Sequence, residues 1–371
     1  MARSYRGPIV DVDLHHNWKS LDDILEYLPR RWHEYARSGA GRPHVGTAGS
    51  NFPEGNRRRD SFRVKGEPAV SDFEYTREQL LDAHNFWRVV AAYDVGAHAN
   101  TQNPYFGTDL ARASNEWNAD TWLTYDERVY GVVAINMGLP DEAAKEIHRA
   151  GEHPRVCATL LAGSPLGRPY GDPIHDPIWA ASASVGLPID IHLGVSQFER
   201  DAGGRPETDI ASVVPVWSTM MHHVTSFIVH GVFEKWPTTR VLIKEVGTLW
   251  LPQLMWRLDE RYEELKRESK WVRRRPSEYI REHVKLGTQP LEDPPSPGAL
   301  KEFYEVMGMD KLLCYATDYA HTTFDDPANV ARRLPDGWAR NVMCDNACEH
   351  YGWTPPAPDP ELEPELAGAL G

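Results

Sequence analysis

The chain has 371 residues, of which 41% are hydrophobic and 25% charged, with a formal net charge of −14. That composition can bury a sizeable core, and its acidic balance excludes nucleic acid or an anionic membrane as the main partner. No run approaches the roughly 20 apolar residues of a membrane span, and Asp11 and Asp13 interrupt the N-terminus before a signal sequence develops.

The first element, PIVDVDLHH (8–16), reads as a strand. An amphipathic stretch follows, from Ser20 as N-cap to about Arg37. Residues 39–75 are rich in Gly, Pro, Asn and Arg and lack a period, so they form an insertion after the first helix, expected to lie over a site. Further strands are expected at 89–99, 129–137, 155–162, 187–194, 240–247, 283–289 and 312–318. Helical patterns such as 108–122, 141–150, 176–185 and 251–268 lie between them. Eight near-continuous apolar strands alternating with helices predict a parallel sheet buried on both faces. With no dinucleotide-binding fingerprint, the expected fold is α/β, a (β/α)8 TIM barrel spanning residues 1–353. Residues 354–371 are a proline-rich acidic C-terminal tail. The four cysteines form no CxxC pair and read as reduced thiols of a cytoplasmic protein.

In such a barrel the chemistry gathers at the C-terminal strand ends. Strand one ends in Asp13-Leu14-His15-His16, where Asp13 and His15 alternate and so share a face. Strand five ends in His192, strand six in Glu245, and strand eight in Asp318, followed by His321. Two imidazoles and two carboxylates suit a divalent metal, Zn²⁺, Mn²⁺ or Fe²⁺. His16, Glu245 and His321 are spare polar groups that leave room for a second metal. Arg57, Arg58 and Arg59 read equally as a clamp for a substrate carboxylate, for which Arg59 is the candidate, and as a solvated basic turn. The adjacent His222 and His223 cannot both face one metal from a helix and read as packing or surface residues. There is no phosphate loop and no GxSxG elbow.

The segments VDVDLHH, LPIDIHLG, HGVFEKWPTTRVLIKEVGTLWLPQLMWRLD, TQPLE and YATDYAH occur in an order that resembles the amidohydrolase superfamily, in the branch of aminocarboxymuconate semialdehyde decarboxylase. The resemblance covers about residues 8 to 353 and implies that Asp13, His15, His192 and Asp318 are the metal ligands. The expected reaction is decarboxylation or hydrolysis of a small carboxylate-bearing molecule, in which the outer oxygen of Asp318 accepts a proton from a metal-bound water and Glu245 or His321 is the nearby general acid–base candidate. Two positions depart from the pattern. Glu245 stands where the decarboxylases place a catalytic His, and Tyr319-Ala320-His321-Thr322-Thr323 replaces the usual strand-eight motif. Strand four, RVCATLLA, has no Lys or Glu at its end, so the bridging carboxylated lysine of the dinuclear hydrolases is not expected. EYLPRRWHEY and TQPLE further resemble the amidohydrolase-fold oxygenases such as aminoisobutyrate hydroxylase. That resemblance implies, as an alternative, O₂-dependent hydroxylation of a small amino acid at an Fe/Mn centre, or the metal-binding companion subunit of such an enzyme. A homo- or hetero-oligomer with a related barrel subunit is the expected assembly.

Overall fold

The computed structural model describes residues 5–38, 57–93, 101, 103–163, 166–192, 211, 213–294 and 296–358. The tail from 359 onward and the first part of the 39–75 insertion lie outside the described residues.

Eight short strands form one parallel sheet in sequential order. They are β1 (Val10–Leu14), β2 (Arg88–Ala91), β3 (Val129–Ala134), β4 (Val156–Leu161), β5 (Ile189–His192), β6 (Val241–Lys244), β7 (Val284–Gly287) and β8 (Leu313–Cys314). β8 meets β1 through Val12 N–H to Tyr315 O at 3.1 Å and His15 N–H to Tyr319 O at 2.8 Å, which brings the sheet round into a barrel. The strands are β-branched and almost wholly buried because helices cover one face and barrel-filling side chains the other.

The helices α1 (Leu21–Leu25), α2 (His33–Arg37), α3 (Pro104–Asp120), α4 (Pro140–Ala150), α5 (Asp176–Ser184), α6 (Val213–Val229), α7 (Trp250–Glu260), α8 (Tyr262–Glu268), α9 (Pro276–His283), α10 (Pro297–Met307), α11 (Pro327–Arg333) and α12 (Asn346–Tyr351) follow the strands. In α4, Ala143, Ile147 and Ala150 are buried at helical spacing while Asp141 and Glu142 stay out, so burial of one stripe fixes the helix against the sheet. The Asp326 carboxylate accepts from the N–H groups of Ala328 and Asn329 and caps α11.

Two expected continuous helices are broken. The 20–37 stretch divides into α1 and α2, because Pro29 lacks an N–H and biases Leu28 away from helix. The 251–268 stretch divides at Arg261 into α7 and α8. Strand eight is shorter than expected, since the chain leaves the sheet where it enters the loops of the mouth, and the end of the expected strand two, 94–99, lies outside the described residues. All four cysteines are free and buried. No helix among the described residues is long and apolar enough to cross a membrane.

Candidate metal centre

The alternation of β1 sends Asp11 and Asp13 into the barrel, and His15 follows on the same side just past the strand end. His192 closes β5, and Glu245 and Asp318 follow the last residues of β6 and β8. Glu245 and Asp318 each take a left-handed backbone with φ of 56°. For a residue with a Cβ that conformation costs on the order of 1 kcal/mol or more, a strain typical of side chains that the fold turns toward a site.

These side chains converge. His15 Nε2 lies 3.2 Å from Asp318 Oδ1, 3.2 Å from His192 Nε2 and 3.7 Å from Asp13 Oδ2. His192 Nε2 lies 3.4 Å from Asp13 Oδ2 and 3.3 Å from Glu245 Oε2. His321 Nδ1 touches Asp318 Oδ1, and Thr323 Oγ1 donates to Asp318 Oδ2 at 2.9 Å. His15 Nδ1 bonds the Tyr93 carbonyl at 3.1 Å, which turns Nε2 toward the centre.

The donor set fits a divalent cation. Ligands about 2.1 Å from one ion stand roughly 3.0–3.4 Å from each other in octahedral or tetrahedral geometry, close to the separations here. Asp13 is wholly buried, yet neither of its oxygens receives a hydrogen bond. Its nearest groups are the imidazole nitrogens of His192 and His15, 3.4 and 3.7 Å from Oδ2, and Lys244 Nζ, 3.9 Å from Oδ1, each too far for a normal hydrogen bond. A cation seated between the carboxylate and the two imidazoles would be the close partner they are not. Two triads that share His15 each bring their ligating atoms within 4.8 Å of one another, Asp13–His15–His192 and His15–Asp318–His321. Glu245 sits at the rim, its side chain 22% exposed against 0% for Asp13 and Asp318.

The electrostatics follow from this crowding. Burial alone would raise the Asp13 carboxyl, but the imidazoles of His192 and His15 hold it well below the usual range. Burial would lower His15, and Asp13 and Asp318 outweigh it and raise that imidazole well above its ordinary value. Glu245 is pushed up by burial and then by the charge of Asp318. Asp11, one layer deeper, is raised to about 6 by burial although Thr317 N–H and Oγ1 bond it at 2.9 and 2.6 Å.

One expected neighbour is not there. His16 turns away from the centre, where its Nδ1 accepts from Tyr93 N–H at 3.1 Å and its Nε2 meets Asn118 Oδ1 at 3.0 Å. Its ring stacks on Trp117. Alternation explains this, because consecutive residues leave an extended chain on opposite sides. Of the three arginines, Arg58 pairs with Asp60 and lies 4.5 Å over Phe324, while Arg59 is exposed. Arg57 pairs through its backbone with His321, so this segment lies across the end of β8. His223 is buried in α6 as a packing residue and His222 is exposed.

Sequence reasoning passed over Lys244 and Asp190, which are buried with no exposure and pair at 2.7 Å. The available signal was a charged residue inside each of the apolar runs IDIH and VLIK.

The amidohydrolase family model matches residues 12–353. A gamma-resorcylate decarboxylase from Polaromonas sp. (strain JS666) is 22% identical over 300 residues, covering 76% of this chain and 85% of that protein. Among solved structures, 5-carboxyvanillate decarboxylase from Sphingomonas paucimobilis superposes with a TM-score of 0.65 at 18% identity, over 94% of this chain and all of that one. The 5-carboxyvanillate decarboxylase from Novosphingobium aromaticivorans, solved with manganese and 4-hydroxy-3-methoxy-5-nitrobenzoic acid, gives 0.66 at 19% identity, over 93% and 96% of the two chains.

Proposed function

Because the chain belongs to the amidohydrolase family, we propose that it is a metal-dependent decarboxylase of a small aromatic carboxylate, with Mn²⁺ as the cation. The observation that carries this reading is the buried cluster of Asp13, His15, His192 and Asp318, in which neither Asp13 oxygen has a normal hydrogen bond. The named relatives are decarboxylases, and they lend the oxygenase alternative no support.

Asp13, His15, His192 and Asp318 would hold the cation. When bound, it supplies charge stabilisation at a substrate oxygen. Loss of CO₂ breaks a carbon–carbon bond and leaves the electron pair on the ring carbon, so a proton must be delivered there. Glu245 is the candidate donor, because it stands at the rim beside His192 where a substrate arrives, whereas Asp318 is enclosed. After CO₂ departs, solvent restores the Glu245 proton. His321, in contact with Asp318, holds that carboxylate in place and is the second acid–base candidate. Arg59, on the segment that crosses β8, would attract the substrate carboxylate from the rim.

The test is CO₂ release from a panel of hydroxybenzoates, including gamma-resorcylate and 5-carboxyvanillate, with chelator-treated and Mn²⁺-restored protein. Metal-dependent CO₂ release from a panel member is expected. Absence of CO₂ from every member would overturn the reading.

A further inference from the structure

Beneath the candidate centre, Lys244 occupies the last position of β6, in register with His192 on β5. Its ammonium is fully enclosed, 2.7 Å from Asp190 Oδ2 and 3.9 Å from Asp13 Oδ1. Asp190 is itself fixed from the C-terminal helix, by His350 Nε2 at 2.9 Å on Oδ1 and by the Tyr351 hydroxyl at 2.9 Å on Oδ2. A chain of polar groups therefore runs from α12 through Asp190 and Lys244 to one oxygen of Asp13. The other oxygen, Oδ2, is the one that faces His15 and His192.

Burying a lysine–aspartate pair is costly, and apolar residues of similar volume commonly stabilise a core as well or better. An ion pair at this level of a barrel thus contributes little to packing that Met or Leu would not. What apolar residues cannot do is favour one orientation of the Asp13 carboxylate. We propose that Lys244 is a positioning residue for the cation site, drawing Asp13 by Oδ1 so that Oδ2 is presented to the cation. This rests on the metal-centre reading above.

The experiment is calorimetric titration of chelator-treated full-length protein with Mn²⁺, for wild type, Lys244→Met and the double variant Lys244→Met/Asp190→Asn. The double variant removes both charges, so no unpaired buried charge is left to unfold it. Loss of a group that orients a metal-binding carboxylate weakens the metal by roughly 10–100-fold. That weakening is expected in the double variant, with a metal-free melting temperature near that of wild type. Wild-type or tighter affinity in the double variant would overturn the proposal, because Lys244 would then be a structural partner of Asp190 only. Failure of both variants to fold would overturn it for the same reason. Wild-type protein that takes up no Mn²⁺ would instead defeat the metal-centre reading.

Discussion

Among the described residues, the buried histidines at the barrel mouth and those on its flank make an instructive contrast. At the barrel mouth His15 and His192 stand within 3.7 Å of Asp13, and His15 is 3.2 Å from Asp318. On the flank, His175 and His223 are equally enclosed, but among the described residues neither ring hydrogen-bonds a carboxylate, and the charges of Asp172 and Asp176 near His175 do not offset its burial. His223 stacks flat on Tyr170 with ring centroids 3.8 Å apart, and its Nδ1 accepts the Tyr170 N–H at 3.1 Å. Burial lowers both flank imidazoles, His223 to about 3, whereas the mouth imidazoles are raised despite the same burial. Burial alone therefore does not raise an imidazole. The carboxylates delivered by other strands do, and eight strands converging on one mouth are what deliver them.

The sharpest way to break the contrast is His192→Ala, which should abolish Mn²⁺ binding and turnover while leaving the circular dichroism spectrum unchanged. Unaltered metal content would remove His192 from the centre. Next in size is Glu245→Gln. If Glu245 supplies the proton, the rate falls roughly 10²–10⁴-fold with metal content preserved. If the variant loses metal instead, Glu245 is a ligand, and a wild-type rate with wild-type metal content would reduce it to a structural carboxylate.

The flank gives the third prediction. His223 has a folded value below its unfolded one, so the unfolded chain binds the extra proton first as pH falls. Its contribution to stability is present above about 6.5 and is lost on acidification toward about 3. By linkage the loss at pH 4.5 is about 3 kcal/mol. Denaturant unfolding at pH 7.5 and 4.5 should show that loss in the wild type and a much smaller one in His223→Gln. Equal losses would mean that acid acts elsewhere. The smallest effect is at the rim, where Arg59→Ala should raise KM by up to about 10-fold with kcat unchanged, as expected for an exposed charge that attracts a carboxylate. An unchanged KM would leave Arg59 as part of a solvated turn.

The barrel was legible because its strands are buried on both faces and so read as apolar runs separated by helical patterns. Asp13 and His15 were legible for a related reason, since residues two apart on a strand must share a face. That rule, applied one residue further, excludes His16 from the mouth, and the crowded aromatic niche of Tyr93 and Trp117 receives it instead. Lys244 was not legible as a partner of Asp13, because the pairing crosses strands β1, β5 and β6 and depends on register that no local pattern encodes. The breaks near Pro29 and Arg261 differ in the same sense. Proline announces the first, and nothing in the residues around Arg261 announces the second.

On the reading proposed above, the mouth of the barrel holds a cation on which turnover depends. Chelator-treated protein titrated with Mn²⁺, with bound metal and CO₂ release followed in the same samples, tests it most directly. Activity should be absent without metal and return in proportion to Mn²⁺ bound, reaching its maximum as the Asp13–His15–His192–Asp318 centre fills. Full CO₂ release from metal-free protein would contradict it.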